Sequence, residues 1–370
     1  MQHQQTPLIS PVLGTQRAID SFHFGCEGSG KKVYIQASLH ADELPGMLVA
    51  WKLKQQLIEL EAKGRINGEV VLVPVANPIG QNQHLMDIQL GRYELENGHN
   101  FNRGYFDTFN DVKLAVNGKL TNDKENNKQL ILAAMKAALD NWNVETEFQS
   151  QQKALQCLSY NADVMLDLHC DFEAILHLYS TYYSWEGIEP LARLLGSEVN
   201  MLADDTGGNP FDCSVDMVWQ RLSAEYGDII PQGCVSATIE LRGQADVCDE
   251  YADQDSQGIL RYLHSLGVIN GEFEPQPDEP APRSDLAAVE TLKSTQGGVL
   301  VHKVKVGEWV ESGQVFAEVI NPITDQVEQV KVTQAGRVYS RTNRRTATAG
   351  MLIGNVAGEN IIRSGYLLAP

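Results

Sequence analysis

His40 and Glu43, in the segment HADE, are the first residues of the sequence whose types and spacing could bind a metal ion. They follow the strand-like run VYIQASL and precede an apolar, helix-like segment, so we expect them in a strand-to-helix loop, where open α/β sheets place their ligands. Imidazole nitrogens and carboxylate oxygens are both zinc donors, and a catalytic zinc typically has three protein ligands and a water molecule. Without further context, an H-x-x-E spacing is more often a loop histidine beside a solvated acid.

His169 supplies a third candidate ligand, because it ends the apolar, strand-like run DVMLDLH. A histidine at the end of a buried strand would point into the same crevice at the edge of the sheet. Asp167 lies two residues earlier and projects from the same face of the strand, where its carboxylate could orient the imidazole. Taken alone, His169 would be interpreted as a hydrogen-bonded core histidine.

Glu240 is a fourth candidate, near the end of the apolar segment VSATIELRG. Glutamate is almost never fully buried without a partner, so a carboxylate that completes a buried strand needs an explanation. Beside a metal ion it would be a suitable general base for a water molecule. The alternative is a structural ion pair with Arg242, which lies two residues further on and faces the same way.

Arg92, Asn102 and Arg103 could bind an anionic substrate, and the last two are adjacent in the segment NFNR. A guanidinium group presents paired donors that match the geometry of a carboxylate. The neighbouring Asn102 amide can add hydrogen bonds to the same group. Each arginine, considered separately, would be interpreted as a solvated surface residue.

The first 270 residues have the pattern of an α/β domain that could position these side chains. Apolar, strand-like runs alternate with helix-like segments, which is typical of a largely parallel or mixed sheet flanked by helices. The predicted strands cover residues 33–38, 70–75, 164–168, 174–179 and 235–241. The predicted helices cover residues 45–60, 127–140, 188–195, 214–226 and 253–266.

The composition changes after residue 270. Residues 271–283 contain four prolines and four acidic residues, which is typical of a stiff, extended linker. Short valine-rich runs separated by glycine follow and indicate a small β-barrel or sandwich. A chain of 370 residues is expected to form two or three domains. We predict a catalytic domain at residues 1–270, a linker at residues 271–285 and an all-β domain at residues 286–370.

Overall charge and processing signals exclude several classes of protein. A formal net charge of −19 argues against a general binder of nucleic acid or anionic membranes, which needs clustered Lys and Arg. The first ten residues lack the basic and apolar regions of a signal peptide, and no stretch approaches the roughly 20 apolar residues that span a bilayer. The six cysteines form no C-x-x-C pair and are predicted to be free, buried thiols in the cytoplasm. A homo-oligomeric assembly is compatible with the sequence.

The segments HADELPG, NPIG, FNRG, DLHC and IELRG occur in this order. Together they resemble the succinylglutamate desuccinylase/aspartoacylase family, which is related to the zinc carboxypeptidases. The resemblance covers about residues 30–270, and the family's C-terminal β domain is similar to the rest. It implies a zinc-carboxypeptidase-like mixed sheet flanked by helices, with one zinc ion per chain. The implied site residues are the zinc ligands His40, Glu43 and His169, the catalytic carboxylate Glu240, the substrate-carboxylate pair Asn102 and Arg103, and Arg92 for the developing oxyanion.

Three departures from the family pattern bear on the substrate. The family commonly has H-G-N-E where this chain has HADE, so Asp42 adds a negative charge close to the metal. Aspartoacylases carry a further substrate arginine shortly before the catalytic glutamate, and residues 229–239 contain none. They also use a tyrosine from the C-terminal domain, for which Tyr339 is a candidate by location alone. These departures argue against an N-acetylaspartate or succinylglutamate substrate, and the missing arginine favours a mono-carboxylate or zwitterionic substrate over a dianionic one.

Residues 286–360 are similar to biotinyl/lipoyl-type barrel-sandwich modules, through the segment GGVLVHKVKVGEWVESGQVFAEV. A carrier module needs a lysine at the tip of a hairpin. The matching turn, residues 321–326, contains no lysine. We therefore predict that this domain is an accessory wall or an assembly surface.

The expected activity is hydrolysis of the linear amide bond of a small N-acyl amino acid by a cytoplasmic zinc amidohydrolase. A zinc carboxypeptidase, which shares the metal site and the catalytic glutamate, is one alternative. A deacetylase for an N-acetylated diamino acid or osmolyte is a second. A non-catalytic, metal-binding scaffold that uses the β domain is a third, and metal analysis with a hydrolysis screen would separate these activities.

Overall fold

The structure is a computed structural model that describes residues 1–204, 207–365 and 367–368. Within these residues, its strands and α-helices are numbered in chain order. The strands are β1 Gln2–Pro7, β2 Ala18–Gly25, β3 Lys32–Ala37, β4 Glu69–Val73, β5 His84–Leu85, β6 Ile88–Gln89, β7 Val164–Asp171, β8 Glu173–Ala174, β9 His177–Ser180, β10 Val199–Leu202, β11 Val235–Gly243, β12 Ser284–Asp285, β13 Val289–Lys293, β14 Gly298–His302, β15 Trp309–Val310, β16 Val315–Asn321, β17 Gln326–Lys331, β18 Gly336–Arg341, β19 Thr346–Ala347 and β20 Leu352–Gly358. The helices are α1 Pro45–Ala62, α2 Pro78–Gln81, α3 Phe109–Val116, α4 Lys124–Asn141, α5 Glu147–Ser159, α6 Trp185–Leu195, α7 Cys213–Tyr226 and α8 Asp249–Ser265.

Nine strands form one sheet in the order β1-β2-β4-β3-β7-β11-β9-β10-β12. The central strands β4, β3, β7 and β11 are parallel, whereas β9 is antiparallel to β11 and β2 is antiparallel to β4. Strand β4, with the sequence EVVLV, is buried along its whole length, as expected for a strand with helices on both faces. The predicted mixed α/β sheet is therefore confirmed.

Helices cover both faces of this sheet. One core joins the central strands to α1, α6 and α8, and it contains Ile35, Leu168 and Ile239. The other core joins β4, β3 and β7 to α3, α4, α5 and α7, and it contains Tyr34 and Met165. Successive side chains of a strand point to opposite faces, so β4, β3 and β7 each contribute to both cores, whereas the hydrophobic side chains of β11 belong to the first core alone.

Helix α5 was missed by the sequence analysis because part of its buried face is made of glutamines. The Gln152 amide donates to the carbonyl oxygen of Arg103 at 2.9 Å. The Gln156 amide donates to the carbonyl oxygen of Phe106 at 2.9 Å. Buried amides that satisfy backbone groups conceal this helix from an analysis of hydrophobic periodicity.

The predicted strand 174–179 begins too early. Glu173–Ala174 forms the separate strand β8, which pairs with β18 of the C-terminal region. The strand that belongs to the main sheet is β9, which begins at His177. The other predicted strands and helices all form, and their ends differ from the prediction by four residues or fewer.

Between β13 and β20, the described residues form strands and no α-helix. These strands make up two sheets. The orders are β13-β20-β18-β15 and β17-β16-β14-β19. Side chains from both sheets bury a common core that includes Phe316, Val338 and Ile353. The all-β character of this region agrees with the sequence, and its barrel-sandwich form stays a prediction.

The proline-rich residues 271–283 lie outside the helices and strands. The Ala281 N–H donates to the Glu189 carboxylate on α6 at 2.8 Å. Ser284–Asp285 then pairs with β10 at the edge of the main sheet. This segment is therefore held against α6 and the edge of the main sheet, and the predicted domain boundaries stay a prediction.

All six cysteines are free thiols in the structure. The prediction that they are buried is wrong for half of them. The buried ones are Cys170, Cys213 and Cys234, and the exposed ones are Cys26, Cys157 and Cys248. No helix in the described ranges has the length and apolar character needed to cross a bilayer.

Candidate metal centre and active site

The candidate site lies at the carboxyl ends of the central parallel strands, where the topology gathers residues far apart in the sequence. Asp167 and His169 of β7 are the register partners of Thr238 and Glu240 of β11. Gln36 of β3 is the register partner of Asp167 on the other side. Side chains that are directly in register project from the same face of a sheet, so these five residues share one face.

His40, Glu43 and His169 converge on one point. The Nδ1 atom of His40 lies 2.9 Å from Glu43 Oε1, and the Nδ1 atom of His169 lies 2.7 Å from Glu43 Oε2. Ligand atoms from the three residues all lie within 4.8 Å of one another, and all three residues are buried. The structure therefore brings together the three residues predicted as metal ligands.

The second nitrogen of each imidazole ring is held by a polar partner. Asn100 Oδ1 lies 2.9 Å from His40 Nε2, and Asp167 Oδ2 lies 3.0 Å from His169 Nε2. With Nε2 engaged in this way, both Nδ1 atoms are left to face Glu43 and a cation. Two imidazole nitrogens and a carboxylate form a donor set that fits zinc. The sequence analysis missed Asn100, although it lies two residues before Asn102.

Burial and mutual charge set the protonation of this cluster. Burial, followed by the charge of Arg92, lowers the pKa of His40 to about 4. Burial alone would raise the pKa of Glu43, but His40 and His169 outweigh it and hold that pKa well below its usual range. Burial alone would lower the pKa of His169, but Asp167 and Glu43 outweigh it and raise that pKa. Glu43 is therefore ionised, which is the form that metal coordination requires.

Close backbone packing positions the loop that carries His40 and Glu43. The Ala41 N–H donates to the carbonyl oxygen of Gly91 at 3.0 Å. A Cβ atom at Gly91 would lie 2.2 Å from the backbone nitrogen of Asp42, so only glycine permits this approach. The geometry of the loop thus depends on a residue that is distant in the sequence.

Asp42, the acidic residue next to Glu43, is linked to the C-terminal region. Its Oδ2 atom accepts a hydrogen bond from the Gln244 amide at 2.9 Å. The Oε1 atom of Gln244 accepts one from the Asn343 amide at 3.4 Å. Burial, followed by the charge of Glu43, raises the pKa of Asp42. The C-terminal region therefore contacts the loop of the candidate metal centre through two amides.

Glu240 projects from β11 beside the metal cluster. Its Oε2 atom is buried and has no hydrogen-bond partner in the part of the chain that the structure describes. Burial, followed by the negative charge of Glu43, raises the pKa of Glu240 to about 8. A buried carboxyl without a partner costs free energy, and a strongly shifted pKa of this kind is typical of catalytic acid–base groups.

The alternative ion pair between Glu240 and Arg242 is wrong. The register of β11 against β7 shifts after Glu240, and Arg242 adopts a left-handed backbone with φ of 68°. Its guanidinium group donates to Asp255 at 2.7 and 3.2 Å and stacks over Tyr251. A bulge of this kind re-aims a side chain, and here it turns Arg242 away from the site.

Arg92, Asn102 and Arg103 border the cluster. An Arg92 Nη1 atom lies 3.3 Å from Glu43 Oε1, and the Asn102 amide nitrogen lies 3.5 Å from His169 Nε2. Arg103 donates to the carbonyl oxygen of Asn102 at 2.7 Å. Burial, followed by the charge of Arg92, lowers the pKa of Arg103, so the positive charges of the two guanidinium groups influence each other. This local positive charge stands within a chain of net charge −19.

A comparison with protein-family models identifies these residues as part of a known domain. The succinylglutamate desuccinylase/aspartoacylase catalytic domain matches residues 29–266, which is more than half of the chain. The chain belongs to this family. This match confirms the family resemblance that the five sequence motifs indicate. No protein of curated function matches the chain.

Solved structures share the fold of this family member over nearly its whole length. A family protein from Shewanella amazonensis SB2B has a TM-score of 0.83 at 22% identity, covering 96% of this chain and 98% of that one. A family protein from Shewanella frigidimarina NCIMB 400 has a TM-score of 0.82 at 22% identity, covering 96% and 97%. The ectoine utilization protein EutE (DoeB) from Ruegeria pomeroyi has a TM-score of 0.69 at 14% identity, covering 97% and 95%. At these identities the likeness is one of fold.

Two further residues of this family member lie beside Glu240. His177 of β9 is the antiparallel register partner of Glu240, and its side chain is buried. The ring centroid of Tyr339, from β18, lies 4.8 Å from that of His177. The sequence analysis did not assign His177 to the site, although its place in the strand-like run AILHLY put a titratable group beside the predicted crevice. Tyr339 thus comes to the border of the site through His177.

Proposed function

We propose that the protein is a cytoplasmic, zinc-dependent amidohydrolase that cleaves the amide bond of a small N-acyl amino acid, with one zinc ion per chain. The convergence of His40, Glu43 and His169 beside Glu240, whose Oε2 atom has no partner among the described residues, is the observation that carries the proposal. Membership of a deacylase family supports it. Zinc held by the three residues would supply a Lewis acid that polarises the scissile carbonyl.

Glu240 would move the protons of the reaction. Its Oε2 atom can accept a proton from the attacking water and then deliver it to the leaving amine. Burial and the charge of Glu43 raise the pKa of Glu240 to about 8, and a cation at the centre would lower it again. A bound cation would therefore shift the pKa of Glu240 downward from this raised value, toward the range that suits a general base at neutral pH.

The arginine side of the cleft would bind the carboxylate of the amino acid. Arg103 and Asn102 would hold this carboxylate through a guanidinium fork and an amide. Arg92, which contacts Glu43 at 3.3 Å, would stabilise the developing oxyanion. Because residues 229–239 contain no further arginine, the cleft favours a mono-carboxylate or zwitterionic substrate over a dianionic one.

We propose the same division of the chain that the sequence predicts, with a catalytic domain at 1–270, a linker at 271–285 and a barrel-sandwich-like domain at 286–370. The pairing of β8 with β18 and the Gln244–Asn343 contact support a role for the β domain as a wall of the cleft. The turn at residues 321–326 has no lysine, which argues against a carrier.

Three other activities would use the same centre. A zinc carboxypeptidase would apply the three ligands and Glu240 to peptides. A deacetylase for a diamino acid or osmolyte would use the same chemistry, and the likeness of fold to the ectoine utilization protein EutE (DoeB) is a reason to include such substrates. A metal-binding scaffold would have no use for the buried Oε2 atom of Glu240, which has no hydrogen-bond partner among the described residues.

Zinc analysis and a hydrolysis panel test the proposal. The purified protein should contain one zinc per chain and should hydrolyse N-acyl amino acids faster than N-blocked peptides. The Glu240→Gln variant should retain zinc and lose about 10²–10⁴-fold in kcat. Full activity of this variant would exclude Glu240 as the base, faster hydrolysis of peptides would favour the carboxypeptidase, and zinc binding with no hydrolysis would favour the scaffold.

A further inference from the structure

His177 and Glu240 carry two buried polar atoms on neighbouring strands. They are direct register partners in the antiparallel pair of β9 and β11, so their Cβ atoms are about 5 Å apart on one face of the sheet. Among the described residues, neither His177 Nε2 nor Glu240 Oε2 has a hydrogen-bond partner. Buried polar atoms are rarely left unpaired, and two such atoms side by side mark a place for a polar group of a ligand.

The strand connection before β9 determines the tautomer of His177. The Nδ1 atom of His177 lies 2.8 Å from the carbonyl oxygen of Ile175. A carbonyl oxygen can only accept, so Nδ1 carries the ring hydrogen. Burial lowers the pKa of His177, which keeps the ring neutral. The Nε2 atom is therefore an acceptor, and a ligand group that pairs with it must be a donor.

The order of the strands determines which part of a substrate meets His177. A row of side chains runs from Asn102, which contacts His169, through His169 on β7 and Glu240 on β11, to His177 on β9. In the proposed function, Asn102 and Arg103 hold the amino-acid carboxylate at the first end of this row, and Glu240 acts at the scissile amide. The acyl group lies on the other side of that amide and extends toward His177.

The surroundings of His177 discriminate among acyl groups. The rings of Tyr179 and Tyr339 flank it, with centroids at 5.5 and 4.8 Å. A carboxylate on the acyl group would meet the Nε2 lone pair and the carboxylate of Glu240, and both would repel it. An ammonium group would form an ion pair with Glu240 and remove it as a base. An uncharged donor avoids both effects.

We propose that His177 is a specificity residue for the acyl group and that its Nε2 atom accepts a hydrogen bond from a hydroxyl group on the acyl chain. The substrates are then hydroxyacyl amino acids rather than alkanoyl or carboxyacyl ones. This inference rests on the proposed function, because it takes its direction along the cleft from the carboxylate site at Asn102 and Arg103.

A matched series of four substrates tests the inference. Each contains the L-amino acid whose N-acetyl derivative the wild type hydrolyses fastest. The acyl groups are glycolyl, propionyl, glycyl and malonyl, which place a hydroxyl, a methyl, an ammonium and a carboxylate group at the same position. We expect kcat/KM for the glycolyl substrate to exceed that for the propionyl substrate by about 10- to 100-fold. Equal rates, or a preference for any of the other three, would overturn the inference.

Variants of His177 assign the preference to this residue. His177→Leu should bring the glycolyl-to-propionyl ratio of kcat/KM close to one, whereas His177→Asn, which keeps an acceptor oxygen, should retain part of it. Leu178→Met is a matched control, because Leu178 is the next residue and packs in the core on the opposite face. An unchanged ratio in His177→Leu would overturn the inference. Should His177→Leu fail to fold, His177→Asn and the wild-type series still decide the question.

A binding measurement separates this inference from the proposed function. Calorimetric titration of the metal-stripped wild type should show tighter binding of the glycolyl than of the propionyl amino acid, and His177→Asn should reduce the difference. Equal binding of the two would overturn the inference. A wild type that hydrolyses no N-acyl amino acid overturns the proposed function together with the inference, whereas hydrolysis without acyl discrimination overturns the inference alone.

Discussion

The two faces of strands β7 and β11 contrast sharply, although their residues alternate along the same chain. The face toward α1, α6 and α8 consists of aliphatic side chains, namely Leu166, Leu168, Ile239 and Leu241. The opposite face, at the same level of the sheet, consists of polar and ionisable groups, namely Asp167, His169, Thr238 and Glu240. Burying ionisable groups costs free energy, and each buried Leu or Ile contributes about 1.5–3 kcal/mol in the other direction. One face therefore stabilises the fold, whereas the other carries the residues of the candidate site.

The largest expected effect is on the polar face, from His169→Ala. This substitution removes one of three candidate metal ligands, so the zinc content should fall far below one per chain. With the Lewis acid lost, kcat/KM for the best N-acyl amino acid should fall by on the order of 10³-fold or more. Metal analysis and steady-state kinetics on the folded variant measure both quantities. A variant that keeps its zinc and its activity would contradict the assignment of His169.

Substitution of the neighbouring residue, Leu168 on the opposite face, should affect stability rather than zinc binding. Leu168→Ala leaves a cavity in the aliphatic core and should lower the free energy of unfolding by about 2–5 kcal/mol. Zinc per folded molecule should be unchanged. Urea denaturation measures the loss, and Leu168→Met, expected to cost less than about 1.5 kcal/mol, is the matched control. A parallel loss of zinc would show that the two faces are coupled, and it would contradict the separation of stability and metal binding between them.

A smaller effect is expected from Asp167→Asn, which changes the group that orients His169 at 3.0 Å. Partners of this kind typically contribute about 10- to 100-fold to metal affinity, so the affinity for zinc should fall by that factor. Competition with a chelator measures it. Tyr34→Phe removes the hydrogen bond that the Tyr34 hydroxyl donates to Gln36, which is the register partner of Asp167. This substitution should have a weaker effect on the affinity for zinc. Wild-type zinc affinity in Asp167→Asn would count against an orienting role.

The smallest effect expected is in the pH dependence of stability. Burial, followed by the charges of Asp216 and Asp167, raises the pKa of Asp212 from its ordinary value of 3.8 to about 6. A carboxyl with a raised pKa in the folded state stabilises below its unfolded pKa and loses this stabilisation as pH rises through the folded value. The wild type should therefore lose about 1 kcal/mol relative to Asp212→Asn between pH 5 and pH 8.

Urea denaturation at the two pH values, on metal-stripped protein, measures this difference. Asp228→Asn, at an exposed position, is the surface control for effects of the buffer. A stability difference between wild type and Asp212→Asn that stays constant with pH would mean that Asp212, which precedes α7, is not held in a desolvated site beside the polar face. The comparison of the two faces would then be limited to the metal cluster itself.

Much of the candidate site could be predicted because its residues end apolar runs. Asp167 and His169 alternate with leucines, and a strand places alternate residues on one face regardless of its neighbours. Asn100 could not be assigned as the partner of His40, because it lies sixty positions away in an irregular segment. Helix α5 could not be predicted for a related reason. The amides of Gln152 and Gln156 are buried and donate hydrogen bonds to backbone carbonyl groups that are in place only in the folded chain.

By itself, the sequence determined the identity and the facing of the side chains that end each strand, together with the mixed α/β class, because both follow from local alternation and backbone geometry. Only the tertiary structure decided the pairing of β8 with β18, the bulge that sends Arg242 to Asp255 and the register that sets His177 beside Glu240. These features depend on which strands become neighbours and at what offset, and that choice is set by the packing of the whole chain rather than by any segment alone.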